Sequence, residues 1–389
     1  MKSVGLITEY NPFHNGHAYH AQQAKTQSDA EISIAIMSGN FVMRGEPAIY
    51  NKFLRTQMAL SNVDLVVELP LIASLSSSDY FAQIAVQVAR YLDVDTIAFG
   101  SETPDITRLK NAANEIINLE HSSTFNQKVK EGSNYAKIIN DLISDNTLLK
   151  MPNNILAITY LKAIQQFAPH MKGLAIQRVH AHHHDATIET SSFASGSAIR
   201  QSLITQATQW TTVVPSSIQS LYTTPHLTKE DTFNLIKYHI LSHSIHEMAH
   251  IYTISEGLEH RLKKYINQAT SFESFMSLLK TKRFTYTHLQ RILMQILLNV
   301  KKEDSIQSIS AVRILGMNRR GQSYLKQLKT KFPKRQFITN INKTSAHFFK
   351  NEIKATDIYN LLSGQKKNDF NTPVTVSYTH LTLPTTPYV

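Results

Sequence analysis

Short apolar runs alternate with stretches of helical period through the first half of the chain. SVGLI (3–7), EISIAIM (31–37), DLVVEL (64–69), DTIAFG (95–100) and GLAIQRV (173–179) are brief, rich in β-branched residues and read as strands. Between them HAYHAQQAK (17–25), NKFLRTQMAL (51–60), DYFAQIAVQVARYL (79–92), the stretches 105–120 and 153–167, and SGSAIRQSLI (195–204) read as helices, the last with a serine cap. Regular strand–helix alternation predicts an α/β fold with a doubly wound parallel sheet. From about residue 205 the pattern changes. KEDTFNLIKYHIL (229–241), GLEHRLKKYINQA (257–269), FESFMSLLK (272–280) and THLQRILMQILLNV (287–300) are helical in period. Only short β-like pieces, AVRIL (311–315) and RQFIT (335–339), interrupt them. The expected organisation is therefore an α/β domain over 1–205 and a second, mostly helical domain over 206–371. The stretch 372–389, TPVTVSYTHLTLPTTPYV, is rich in Thr and Pro and is expected to be a non-native or disordered tail.

A chain of 389 residues with 42% hydrophobic residues suits two cores better than one. It contains no apolar run of about 18 residues, so no membrane span is expected. The N-terminus lacks the pattern of a signal peptide. With no cysteine, disulfides and thiolate metal sites are excluded. A soluble, cytoplasmic protein is the expectation. Charge is unevenly distributed. Residues 1–200 carry 16 Lys and Arg against 18 Asp and Glu, whereas residues 201–389 carry 24 against 11. The stretch 251–350 alone holds 19 basic and 5 acidic residues, which points to a polyanionic partner for the second half.

The candidate chemistry lies just after the first strand, in NPFHNGHAYH (11–20). Ligands of doubly wound sheets bind beyond the carboxyl ends of the strands, where helix N-termini offer free N–H groups to anions. Gly16 permits close backbone approach. The imidazoles of His14 and His17 are able to donate hydrogen bonds to phosphate oxygens. The motif His-x-Gly-His, here His14 to His17, resembles the signature of the nucleotidyltransferase superfamily. A second stretch, SSFASGSAIR (191–200), fits its usual partner, with Ser195 opening a helix and Arg200 as a fixed cation. These two elements make His14, His17, Ser195 and Arg200 the expected catalytic set.

Further motifs narrow the resemblance. MSGNFVMRGEPAIYNKFLRTQMAL (37–60), FGSE (99–102) and MPNNILAITYLKAI (151–164) are similar to the tRNA(Met) cytidine acetate ligase family. The resemblance implies a polar contact from Gln at the position where Met43 stands here. The resemblance implies a nucleotidyltransferase-like Rossmann fold, ATP as co-substrate with Mg2+, and acetylation of the wobble cytidine of elongator tRNA(Met) using acetate. It implies an ATP-binding segment made of Ile7, Thr8, Glu9, Tyr10, Asn11, Pro12, Phe13, His14, Asn15, Gly16, His17, Ala18, Tyr19 and His20. Gly100, Asn153 and Arg178 are implied as further ATP contacts.

Other residues leave alternatives open. Lys52 and Arg55 share a helix face, which suits a triphosphate, an acceptor RNA or plain solvent. The run HAHHHD (180–185) reads as a loop bordering the active site rather than a metal centre, because consecutive side chains diverge. KKYINQ (263–268), KTKRFTYTH (280–288) and MNRRGQSYLKQLKTKFPKR (317–335) mix cations with aromatics in the way that suits RNA. Two rival functions share part of these features. A small-molecule adenylyltransferase needs no basic helical domain, and a non-catalytic RNA-binding protein needs no intact His14, His17 and Ser195–Arg200 set.

Overall fold

The computed structural model describes residues 1–178, 188, 192–223, 226–281 and 284–377. Five parallel strands build the centre of one sheet: β1 (Ser3–Thr8), β2 (Ile32–Ser38), β3 (Leu65–Leu69), β4 (Thr96–Ser101) and β5 (Lys172–Gln177). The longer helices between them include α1 (Asn15–Gln27), α2 (Lys52–Ala59), α3 (Ser78–Tyr91), α4 (Ile106–Glu120) and α5 (Pro152–Phe167). After β5 comes α6 (Gly196–Ile204).

Every residue of β2 and β3 is buried, which is why both read as continuous apolar runs rather than alternating ones. The pleat then sorts the side chains. Ile32, Ile34 and Ile36 join α3, α4 and α5 in one core, whereas Ala35 and Met37 face the core shared with α1, α2 and α6. Helices thus cover both faces, as the alternation predicted. The sheet runs β3-β2-β1-β4-β5 through this part. Strand order turns back at β1, which pairs in parallel with β2 on one side and β4 on the other. In a sheet of this kind the ligand crevice is that switch point, beyond the carboxyl ends of β1 and β4.

The second half supplies α7 (Phe233–Ser242), α8 (Leu258–Tyr265), α9 (Phe272–Leu279) and α10 (Tyr286–Leu297), which share their own apolar core. Phe41, Leu71, Ile72 and Leu75 from the first half join that core. The chain then returns to the sheet. β6 (Ala311–Met317) pairs antiparallel with β3, with Leu65 opposite Met317. It is followed by α11 (Arg319–Lys331), β7 (Gln336–Ile338) beside β6, and α12 (Lys350–Ser363). Within the 372–389 stretch, β8 (Thr375–Val376) pairs with Gly316 and Met317, and residues 378–389 lie outside the described ones. No described helix is long and apolar enough to cross a membrane.

Candidate active site

The turn after β1 carries the HNGH motif to the crevice. Ile7 and Thr8 end β1, Glu9 to Phe13 form the loop, and His14 to His20 open α1. His14 is the N-cap of α1: its Nδ1 accepts the Gly16 amide at 3.0 Å. A Cβ on residue 16 would lie 2.9 Å from Cε1 of that ring, so Gly16 makes room for His14 to fold back over the helix start. The His14 and His17 rings stack with centroids 3.8 Å apart. Tyr10 meets His17 edge-on at 4.9 Å, and Phe13 lies 5.7 Å from it. Aromatic walls therefore aim the pair.

The three imidazoles are half-buried and neutral. Loss of solvent, with the charges of Arg178 and Arg200 nearby, lowers the His14 pKa to about 3. His20 falls to about 4, through burial and Arg178. His17 is pushed well below its ordinary value by burial and by its neighbours His14 and His20. Nδ1 of His17 and Nε2 of His20 are buried without a hydrogen-bond partner among the described residues. Unfilled polar atoms of this kind at a helix N-terminus suit an anion that brings acceptor oxygens.

The Ser-rich stretch lies alongside. Asn15 donates to the Ser192 carbonyl at 2.8 Å, and Tyr19 meets Phe193 edge-on at 6.2 Å. Ser195 caps α6, its Oγ accepting the Ala198 amide at 3.0 Å. One turn on, Arg200 Nη1 donates to the Asn11 carbonyl at 2.8 Å, while its Nη2 donates to Ser197 Oγ at 3.3 Å and stands 3.4 Å from Glu46. The guanidinium is thus held between the loop after β1, the start of α6 and the short hairpin Phe41–Pro47. Tyr222, from beyond residue 205, closes the wall by donating to the Phe13 carbonyl and stacking on Trp210 at 4.7 Å.

On the other side of the switch point, Gly100 is the penultimate residue of β4 and Arg178 follows β5. The Arg178 methylenes pass over Gly100, and its Nη1 donates to Asn153 Oδ1 at 3.4 Å. Asn153 opens α5 and is also bound through its amide nitrogen to Glu102 at 2.5 Å. Glu102 and Asn154 were not singled out from sequence, although FGSE and MPNN both were; their reciprocal bonding is a feature of two motifs fifty residues apart. Glu9, one of the residues expected in the ATP-binding segment, lies against the Phe41–Pro47 hairpin. Burial raises its carboxyl pKa, with Glu46 adding to the effect, while the Met43 amide donates to it at 2.7 Å. The contact at position 43 is thus made by backbone, which any residue there supplies.

The open alternatives for Lys52 and Arg55 are all overturned. Both are fully buried. Lys52 sits between Glu68 (2.8 Å) and Asp369 (2.9 Å), whose charges keep it protonated despite its burial. Arg55 donates to the carbonyls of Tyr50, Ser38, Gly39 and Glu9, tying the ends of β1 and β2 together. Neither faces a triphosphate, RNA or solvent. The run 180–185 lies outside the described residues.

The basic surface divides between the two ends of the sheet. Because Met317 is level with Leu65 at the start of β3, α11 begins at the end opposite His14. Tyr324 of α11 confirms the placement by donating to the Leu92 carbonyl, just ahead of β4, at 2.8 Å. Arg319, Arg320, Lys326 and Lys329 are exposed there. Among the described residues Arg44 is exposed near the site, on the hairpin whose Glu46 reaches Arg200, and Arg178 is exposed on the β4–β5 side.

The HIGH Nucleotidyl Transferase family model matches residues 1–372. Curated relatives named tRNA(Met) cytidine acetate ligase include one from Staphylococcus haemolyticus, 66% identical over 377 residues, covering 97% of this chain and 99% of the relative. One from Staphylococcus aureus is 58% identical over 378 residues, covering 97% of this chain and all of the relative. Among solved structures, Thermotoga maritima TmcAL in its apo form superposes with a TM-score of 0.87 at 25% identity. The same protein bound with alpha-thio ATP gives 0.84 at 26% identity, and each covers 97% of this chain and 100% of the other.

Proposed function

The chain belongs to the HIGH nucleotidyl transferase family, and on that premise we propose that it is an ATP-dependent tRNA(Met) cytidine acetate ligase. It activates acetate as acetyl-adenylate and transfers the acetyl group to the exocyclic amine of the wobble cytidine of elongator tRNA(Met), giving N4-acetylcytidine. The observation that carries this reading is the stacked His14–His17 pair at the N-terminus of α1, facing Arg200 at the switch point of the sheet.

The triphosphate lies across the starts of α1 and α6, where free backbone N–H groups and both helix dipoles favour negative charge. His14 and His17 each donate an N–H, and His17 and His20 gain the partners their buried nitrogens lack. Gly100, Asn153 and Arg178 frame the nucleotide on the β4–β5 side. Acetate is ionised at neutral pH and needs no general base. Its carboxylate oxygen attacks the α-phosphorus, a new O–P bond forms, and pyrophosphate leaves with the electrons of the broken bond. The obstacle is repulsion between two anions, which fixed donors and the Arg200 charge reduce. The amine of cytidine then attacks the acetyl carbonyl, AMP departs, and the amine gives up a proton.

Magnesium, expected with ATP, would be held chiefly by phosphate oxygens and water. Among the described residues no group of three His, Asp or Glu is arranged to hold an ion by itself. An anticodon base lies in a loop and can be splayed into the crevice without melting a duplex. Its flanking phosphates meet Arg44, while the helical layer of α7 to α10 gives the RNA a wall. We place the reaction in the cytoplasm, where ATP and tRNA are both held.

Incubating elongator tRNA(Met) with ATP and labelled acetate, then analysing its nucleosides by mass, tests the reading. N4-acetylcytidine that requires both ATP and acetate is expected. AMP moved onto a small phosphate acceptor, with the tRNA unchanged, would put the adenylyltransferase alternative in its place.

A further inference from the structure

We infer that Glu102 is a positioning residue for the nucleotide, orienting Arg178 through the side chain of Asn153. This deepens the reading of the ATP crevice given above and rests on it.

The start of α5 has no cap of its own: Met151 makes no side-chain capping bond, and Pro152 occupies the first turn. Glu102, just past the end of β4, fills that role from another element. One carboxylate oxygen accepts the Asn154 amide at 2.9 Å, and the other accepts the Asn153 amide at 3.3 Å. A carboxylate at a helix N-terminus satisfies otherwise free N–H groups and complements the dipole. Asn154 returns the contact. Its Oδ1 accepts from Ser101 Oγ (2.6 Å), the Glu102 amide (3.1 Å) and the Thr103 amide (3.0 Å), fixing the turn that carries Glu102.

The clasp has an outward branch. Glu102 also accepts from Asn153 Nδ2 at 2.5 Å, and this bond decides which way the Asn153 amide faces. With its nitrogen committed to a carboxylate, Asn153 presents its Oδ1 to Arg178 Nη1 at 3.4 Å. Arg178 is the group whose charge acts on His14, His17 and His20. Left alone, a guanidinium would leave three crowded imidazoles for solvent. The Glu102–Asn153 pair gives it a reason to stay, and Gly100 leaves the path over β4 clear for its methylenes.

The test compares wild type with Glu102→Ala, Glu102→Gln, Arg178→Ala and the double variant Glu102→Ala/Arg178→Ala. Readouts are acetate-dependent ATP–pyrophosphate exchange across pH, and calorimetric binding of alpha-thio ATP. Glu102→Ala should raise the KM for ATP roughly tenfold with a smaller change in kcat, and Glu102→Gln should recover part of it. The acid limb of the rate–pH profile should move to higher pH, because the imidazoles are freed from Arg178. In the Arg178→Ala background, Glu102→Ala should have no further effect on nucleotide affinity. Additive losses of affinity, or a lower melting temperature with unchanged KM and pH profile, would overturn the inference and leave Glu102 as a helix cap. Because alpha-thio ATP affinity is measured without turnover, a wild type that fails to exchange with acetate counts against the ligase reading and leaves this comparison intact.

Discussion

The rings of His14 and His17 lie stacked, 3.8 Å between centroids and 28° between planes, and both are uncharged. Two adjacent imidazoles shielded from water and flanked by guanidinium groups cannot readily hold protons together. The pair therefore waits as two neutral donors, and an arriving polyanion reverses the balance by favouring the charged forms.

That relationship gives the ligand-free protein one contribution to stability that depends on pH. His14 and His20 have folded-state pKa values of about 3 and about 4, against about 6.5 in an unfolded chain, so between these values the unfolded chain binds more protons. Stability is fully present above about pH 6.5 and is lost as pH falls toward the folded values. Thermal melts at pH 7, 6 and 5 should show a falling melting temperature, less steep in His14→Ala. Equal slopes in the two proteins would show that His14 is not sheltered as described. Calorimetry of ATP binding in buffers of different ionisation enthalpy should show proton uptake.

Gly16 tests the geometry of the pair. A Cβ there meets the His14 ring at 2.9 and 3.0 Å, so the ring must leave its capping position. Gly16→Ala should lower acetate-dependent exchange by about 10- to 100-fold, the scale of a misplaced reacting group. Its melting temperature should fall only by what one lost N-cap bond costs, about 1 kcal/mol, partly offset by the higher helix propensity of alanine. Wild-type exchange in this variant would mean that the ring position is immaterial.

Much of this fold was legible in the sequence because parallel strands buried on both faces read as apolar runs. The five strands at 3–8, 32–38, 65–69, 96–101 and 172–177 fall within two residues of their expected limits. The place of HNGH at the end of the first strand and the start of a helix was legible because a strand run gives way there to a helical period around a glycine. Lys52 and Arg55 were not, since their partners Glu68, Asp369 and the carbonyls after β1 and β2 are brought to them only by folding. Periodicity shows that two cations share a face but not that the face is buried. The return of the chain to the sheet at β6 was equally hidden, because a short β-like run does not state its pairing partner.

Burial of Lys52 predicts a structural rather than catalytic phenotype. Lys52→Met removes the cation bridging Glu68 and Asp369, leaving Arg313 at 4.0 Å from Asp369, and should cost about 3–5 kcal/mol of stability. Exchange per folded molecule, measured well below the melting temperature, should stay near wild type. Loss of exchange without loss of stability would return Lys52 to the site.

Arg44 predicts the reverse. It is exposed at the crevice, so Arg44→Ala should raise the KM for tRNA and reduce the slope of log affinity against log salt by about 1. Exchange without tRNA should be unaffected. An unchanged salt slope would show that the RNA backbone is held elsewhere, and reversing Arg319, Arg320, Lys326 and Lys329 at the far end of the sheet would then locate it.

The most direct test of the central claim is ATP–pyrophosphate exchange with and without acetate, for wild type, His14→Ala and His17→Ala, alongside tRNA binding by the same proteins. Exchange that acetate stimulates in wild type and that falls about 10²–10³-fold in each variant, with tRNA binding retained, is the predicted result. Wild-type exchange rates in the His14→Ala protein, or no exchange from wild type with acetate, would contradict it.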